Sequence, residues 1–141
     1  MQPTQRPDRC AELVALFAKA PIKKTFGMIL SYDDASQAVF DLPHNDALER
    51  ALGDTHGGII ATLLDNAGWF TVAAQYDFWI ATVEMQMRLL EPAKREDLKA
   101  TGKIIRLGRS LSVAEMAVLS GSGRLVATGS GTFSVTSLAA K

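Results

Sequence analysis

The chain has 141 residues, 48% of them hydrophobic and 21% charged, and its 15 basic and 15 acidic side chains cancel to a formal net charge of +0. That length suits one globular domain spanning residues 1–141 with a core of its own. The charge balance removes any global attraction to nucleic acid or an anionic membrane, so a basic site has to be local, and the single Cys10 excludes an intrachain disulfide.

Arg6 and Arg9 precede a short apolar run from Cys10 to Ala18, a crude imitation of a signal peptide. Glu12 interrupts the run, while Leu13, Leu16, Phe17 and Ala20 recur at helical spacing. The segment 1–21 therefore reads as an N-terminal amphipathic helix ended by Pro21, and a cytoplasmic location is the default expectation. Phe26 to Tyr32 and Gln37 to Leu42 read as two strands of a hairpin turned at Asp33-Asp34. His44 to Leu52, between Pro43 and Gly53-Asp54, reads as a short helical or looped connection.

A long helix is expected from Gly57 to Gln75, with apolar residues on nearly every face, so other elements should wrap it. Thr62, Asp65 and Asn66 near its centre argue against a bilayer span. Trp79 to Leu90, Asp97 to Leu107, Ser110 to Ser120 and Arg124 to Val135 follow as strands. Their short connections, at Pro92-Ala93-Lys94, Gly108 and Gly121-Ser122-Gly123, favour antiparallel neighbours. Strands and helices do not alternate, so the fold class is α+β rather than a parallel nucleotide-binding sheet. The terminal Ala139-Ala140-Lys141 is expected to fray.

Asp65 is the residue to explain, because an ionised carboxylate inside an apolar helix is costly unless paired or used. Gly58 lies seven residues earlier, about 700° around the helix, and so shares the stripe of Asp65 to within about 20°. The two are also about 10 Å apart along the axis, too far to act on one carbonyl. A second copy running antiparallel would place Gly58 of one subunit opposite Asp65 of the other, giving two equivalent sites across a twofold axis. His56, before the two glycines, is a catalytic-site candidate that reads as a helix cap shaping the loop, with proton transfer as the alternative role.

The run His56-Gly57-Gly58 continues as Thr62-Leu63-Leu64-Asp65-Asn66-Ala67, and Leu90-Glu91-Pro92-Ala93, Gly108-Arg109-Ser110 and Ala127-Thr128-Gly129-Ser130-Gly131-Thr132-Phe133 follow in order. With these motifs the segment from about Leu42 to Val135 resembles the hotdog-fold acyl-coenzyme A thioesterases, in the phenylacetate-pathway (PaaI-like) branch of the 4-hydroxybenzoyl-coenzyme A thioesterase superfamily. The resemblance implies an antiparallel sheet curled around one long central helix and a homodimer with antiparallel helices, its dimers pairing into tetramers. It implies that Asp65 is the catalytic carboxylate, as nucleophile or as the base activating water, and that the N–H of Gly58 polarises the thioester carbonyl.

A helix N-terminus suits an oxyanion, since it offers unpaired N–H groups and a positive dipole end, and glycine permits close approach. Thr82 matches a position where relatives carry a hydroxyl that bonds water or the carboxylate. The resemblance implies that Gly57 belongs to the coenzyme A site, and Lys94, Arg95, Arg106 and Arg109 could hold the coenzyme's phosphates, with Arg109 the best placed. Relatives often carry Asn six residues before the His, where this chain has Arg50.

Thr62 and Trp69 flank Asp65 on the same stripe and could line an acyl pocket or pack an interface; Asn66 points elsewhere, and Phe70, Met85 and Met87 read as core. No metal-ligand spacing, serine-hydrolase elbow or phosphate-binding glycine fingerprint is present, so no cofactor is expected beyond the coenzyme A of the substrate. Two rival readings use the same fold: a non-catalytic acyl-coenzyme A sensor and a hydratase or dehydratase. The acyl group, and coenzyme A against a carrier protein, stay open.

Overall fold

The computed structural model describes residues 7–139. In chain order it runs α1 (Pro7–Ala18), α2 (Pro21–Phe26), β1 (Ile29–Tyr32), β2 (Ala38–Leu42), a single 3-10 turn (Asp46–Leu48), α3 (Gly57–Ala73), β3 (Phe78–Leu89), β4 (Leu98–Arg106), β5 (Leu111–Ser120) and β6 (Leu125–Ala139). The expected fraying of Ala140 and Lys141 lies outside the described residues, as does Arg6, whereas Ala139, also expected to fray, ends β6 paired with Phe78.

Pro21 ends α1 as expected, yet it also opens a second helix, because proline's fixed φ and missing N–H suit the first helical position. Phe26 therefore belongs to α2, which Gly27 closes at φ 78 with its N–H donated to the Lys23 carbonyl, and the strand begins only at Ile29. The hairpin turn forms as expected. Asp33 Oδ1 accepts from the N–H groups of Ala35 and Gln37, both at 2.9 Å, and Ser36 takes the left-handed φ of 59.

The six strands form one antiparallel sheet in the order β1-β2-β4-β5-β6-β3. The short connection at residues 90–97 does not make β3 and β4 neighbours; β3 instead pairs with β6, and the connection crosses the start of α3, where the Ala93 carbonyl accepts from the Thr55 N–H. β3 is consequently an edge strand. A register shift between Thr82 and Glu84 moves its inward set from Ile80 and Thr82 to Met85, Met87 and Leu89, which lie across from Gly131, Gly129 and Ala127.

The sheet curls around α3, the hotdog arrangement that the sequence resemblance implies. Leu63, Leu64, Ala67, Gly68 and Val72 of α3 are buried against it, together with Ala114, Met116 and Val118 of β5. Helix and sheet approach closely at Gly102, where a Cβ would fall 2.4 Å from both the Ala67 carbonyl oxygen and Thr71 Oγ1. The Thr71 hydroxyl donates to the Ala67 carbonyl (2.7 Å) and accepts from the Ala38 N–H (2.9 Å), tying α3 to β2.

α1 closes one side through Leu13 and Phe17, the latter in edge-to-face contact with Phe40 and Phe70 at 5.0 and 5.5 Å. At the C-terminal end of α3 a closed ring of hydrogen bonds holds the β4–β5 turn. The Tyr76 hydroxyl donates to the Gly108 carbonyl (2.6 Å), Ser112 Oγ lies 2.8 Å from it, and the Gly108 N–H donates to Ser112 Oγ (3.3 Å). α3 is nevertheless not enclosed all round: Ile59, Thr62, Asp65, Asn66 and Trp69 remain half-buried. The even distribution of apolar residues around the helix concealed that stripe.

Candidate active site

Asp65 lies on this incompletely covered stripe, beside the edge strand. Its Oδ1 accepts a hydrogen bond from Thr82 Oγ1 of β3 at 2.8 Å. One helical turn further on, Trp69 Nε1 donates to the Ile80 carbonyl at 3.1 Å, so two successive inward positions of β3 are bound to positions i and i+4 of α3. The Trp69 ring stacks on Trp79 at 6.3 Å and meets Phe70 edge-on at 4.7 Å. Arg9, which is buried, carries its guanidinium 5.8 Å from the Trp79 ring centre and donates Nε–H to the Tyr76 carbonyl.

The neighbours of Asp65 sort as the helical angle predicts. Asn66 turns toward Met28, its Nδ2 at 3.7 Å from the sulfur, and Thr62 donates its hydroxyl back to the Gly58 carbonyl at 3.0 Å. Phe70 is core, Met85 packs against the core, and Met87 is partly exposed.

The start of α3 is the second half of the constellation. His56 has the non-helical φ −61, ψ 135 of a capping residue, and its Nδ1 accepts from the Gly58 N–H at 2.8 Å. That bond requires a neutral imidazole with its proton on Nε2. The Gly58 N–H is therefore committed to the cap, whereas the Gly57 N–H has no partner among the described residues. Gly57 opens onto a cleft of about 330 Å³ whose walls include Arg50, Asp54, Ile60, Leu89 and Pro92. A Cβ on Gly57 would stand 2.8 Å from Leu89 Cδ1, so glycine keeps the cleft floor clear. Asp65 and Gly57 of the same chain are about 12 Å apart along the axis, which prevents both from reaching one carbonyl.

A carboxylate held by a hydroxyl on the helix flank, eight residues beyond an open helix N-terminus and inside a curled antiparallel sheet, is an arrangement that can be compared with known proteins. Residues 52–127 match the family model described as the thioesterase superfamily. The chain belongs to that superfamily. It is 35% identical over 99 residues to a candidate esterase of Halobacterium salinarum, a match that spans 64% of this chain and 65% of the length of that relative. Among solved structures it superposes on a thioesterase family protein of Silicibacter pomeroyi with a TM-score of 0.83 and 25% identity, covering 94% of this chain and 97% of the other. It also superposes on the Escherichia coli PaaI protein of the phenylacetic acid degradation operon, with a TM-score of 0.87 over 96% and 99% of the two chains; at 17% identity that likeness is one of fold.

In this thioesterase-superfamily chain the four candidate phosphate-binding cations, all exposed, fall into two pairs. Lys94 and Arg95 follow Ala93 at the N-terminal end of α3, while Arg106 and Arg109 flank the turn held by Tyr76 at its C-terminal end. The 17 residues of α3 span about 25 Å, so one protomer does not gather all four around one nucleotide.

Several contacts were not apparent from sequence. Arg124 is pinned between Glu91 and Glu96, whose hydrogen bonds push its guanidinium pKa up, Glu96 contributing most. His44 Nε2 lies 3.2 Å from Asp46 Oδ1 and 3.1 Å from Glu49 Oε1, a grouping hidden by its irregular spacing. Arg50 and Asp54 form an ion pair at 2.7 Å; their opposite charges four residues apart were the available signal. Tyr32 donates its hydroxyl to the Phe70 carbonyl at 2.7 Å, and burial pushes its phenol far above the usual range. Cys10 is a half-buried free thiol, and among the described residues no helix is long and apolar enough to cross a membrane.

Proposed function

We propose that this chain hydrolyses acyl-coenzyme A thioesters to the free acid and coenzyme A, at two equivalent sites shared across a homodimer, with dimers pairing into tetramers. The observation that carries the reading is Asp65 itself, held by Thr82 on the flank of α3 next to the open edge of β3 and out of reach of its own helix N-terminus. An antiparallel second copy joined along β3 supplies what one protomer lacks, because it brings the N-terminus of its α3 to the Asp65 of the first. A half-exposed Leu89 and a Val83 that is 56% exposed on that edge strand give the interface apolar surface to bury.

Within such a site the α3 N-terminus polarises the thioester carbonyl through its unpaired N–H and dipole. We assign this role to Gly57 rather than Gly58, because the Gly58 N–H is bonded to His56 Nδ1, and we assign His56 the task of orienting the turn. Asp65 either deprotonates an attacking water or attacks the carbonyl directly, and Thr82 keeps one carboxylate oxygen turned toward β3 while the other is available. The same antiparallel arrangement carries Arg106 and Arg109 of one copy toward the end of the dimer where Lys94 and Arg95 of the other stand, so that the coenzyme's phosphates are held from both chains.

The test is free-thiol release from a panel of aromatic and straight-chain acyl-coenzyme A thioesters, run with the native chain and with Asp65→Asn, alongside the solution mass. Turnover by a native dimer or tetramer and its loss in a folded Asp65→Asn of the same mass is the expected result. Tight binding of the thioesters with no turnover by the native chain would refute hydrolysis and support the sensor instead.

A further inference from the structure

Trp69 is the largest side chain on the incompletely covered stripe of α3, and the hydrolysis proposed above gives it no task. It stands one turn, about 6 Å, beyond Asp65 on the same face of the helix. Three contacts fix its ring: Nε1 donates to the Ile80 carbonyl at 3.1 Å, Trp79 stacks on it at 6.3 Å with 27° between the planes, and Phe70 meets it edge-on at 4.7 Å. Trp79 is steadied in turn by Arg9, 5.8 Å from its ring centre, and that guanidinium is tied to the Tyr76 carbonyl and to Glu12 Oε2, both at 3.1 Å. The two tryptophans thus form a braced block, yet each is only half-buried.

We infer that Trp69, backed by Trp79, is the end wall of the acyl pocket and restricts this chain to short acyl groups; the inference rests on the thioester hydrolysis proposed above. The antiparallel pairing sets the direction. With Gly57 of a second copy opposite Asp65, each step toward the C-terminus of one α3 is a step toward the N-terminus of the other. Ile59 and Thr62 then lie alongside the second helix, whereas Trp69 lies past its start, opposite the loop 50–54. That loop carries Leu52, which is 72% exposed in the single chain. Leu52 of one copy and the tryptophans of the other are therefore the apolar surface left beside the reacting carbonyl, and an acyl group gains by burying against it. The coenzyme's phosphates need the exposed cations and leave this surface to the acyl group. Only about one helical turn separates the carboxylate from the fixed indole, so a straight chain meets the ring within its first few methylenes. A longer chain has to displace Trp69 from its hydrogen bond and both ring contacts.

The experiment measures kcat/KM on butyryl-, hexanoyl-, octanoyl- and decanoyl-coenzyme A for the native chain, Trp69→Leu, Trp69→Ala and Trp79→Ala, beside thermal unfolding of each. An end wall predicts a native kcat/KM about tenfold or more lower on the octanoyl than on the butyryl thioester. In Trp69→Ala the octanoyl value should rise about tenfold while the butyryl value falls less than about threefold, and Trp69→Leu, which frees less length, should shift in the same direction by less. Trp79→Ala leaves the Trp69 ring in place but unbacked, so its shift should be smaller again. A native chain that takes the decanoyl thioester as readily as the butyryl one, or Trp69 variants that lower every chain length in proportion, would overturn the inference. Trp69→Leu, which keeps an apolar side chain on the stripe, carries the test if Trp69→Ala does not fold. If Asp65→Asn is inactive while the chain-length profile is the same in the native chain and the Trp69 variants, only this inference falls; if the native chain turns over no thioester, the proposed hydrolysis falls and takes it along.

Discussion

The Thr82 hydroxyl offers the sharpest test of how the carboxylate is held. Thr82→Val keeps the branched shape and removes only the donor that meets Asp65 Oδ1 at 2.8 Å. A hydrogen bond to a charged group is worth about 1.5–3 kcal/mol, but Thr82 is exposed and Asp65 half-buried, so water replaces part of it and about 1 kcal/mol is the reasonable loss. If the bond orients Asp65 for attack, that amount is about a fivefold fall in kcat, at 1.36 kcal/mol per factor of ten. Stability should barely move, with a melting shift below about 3 °C, since the site is not core. The assay is steady-state thiol release beside thermal unfolding, with Thr82→Ser as the control that restores the donor. An unchanged kcat in Thr82→Val, or a Thr82→Ser as impaired as Thr82→Val, would refute the orienting role.

Three further outcomes follow from the packing. Gly102→Ala places a methyl 2.4 Å from the Ala67 carbonyl oxygen, an overpacking of about 3 kcal/mol that should lower the melting temperature by about 10 °C; a loss under about 3 °C would show that α3 can lift from the sheet freely. His56→Ala removes the side-chain acceptor for the Gly58 N–H, so calorimetry should find about 1 kcal/mol lost; a stability equal to native would mean that water caps the helix as well. Because the Tyr32 phenol is raised in the folded state, its contribution is full below the unfolded pKa of about 10 and fades as pH rises above it. Urea unfolding should therefore show stability falling more steeply between about pH 9.5 and 11 in the native chain than in Tyr32→Phe, and parallel curves would argue against the burial effect.

The sequence by itself determined most of the elements and singled out Asp65 as the residue to explain. Alternation and helical spacing are local, nearest-neighbour patterns, so α3, β4 and β5 fall close to where they were read, and Asp65 stood out because a carboxylate conflicts with the apolar run around it. Capping is local too, and His56 acts as the cap that its place before two glycines implied. The tertiary structure decided what depends on partners far along the chain. Strand order was one such matter, since β3 pairs with β6 and not with the β4 that follows it, and this leaves the strand bearing Thr82 at the sheet edge. Parity was another: the irregularity after Thr82 reverses which side chains face the helix, and no alternation pattern announces it. Only the folded loop showed that the Gly58 N–H is occupied while Arg50, steadied by Asp54, stands in the cleft with Gly57. Local propensity specifies a segment's shape, but which donor is left open at its end depends on the groups that packing brings beside it.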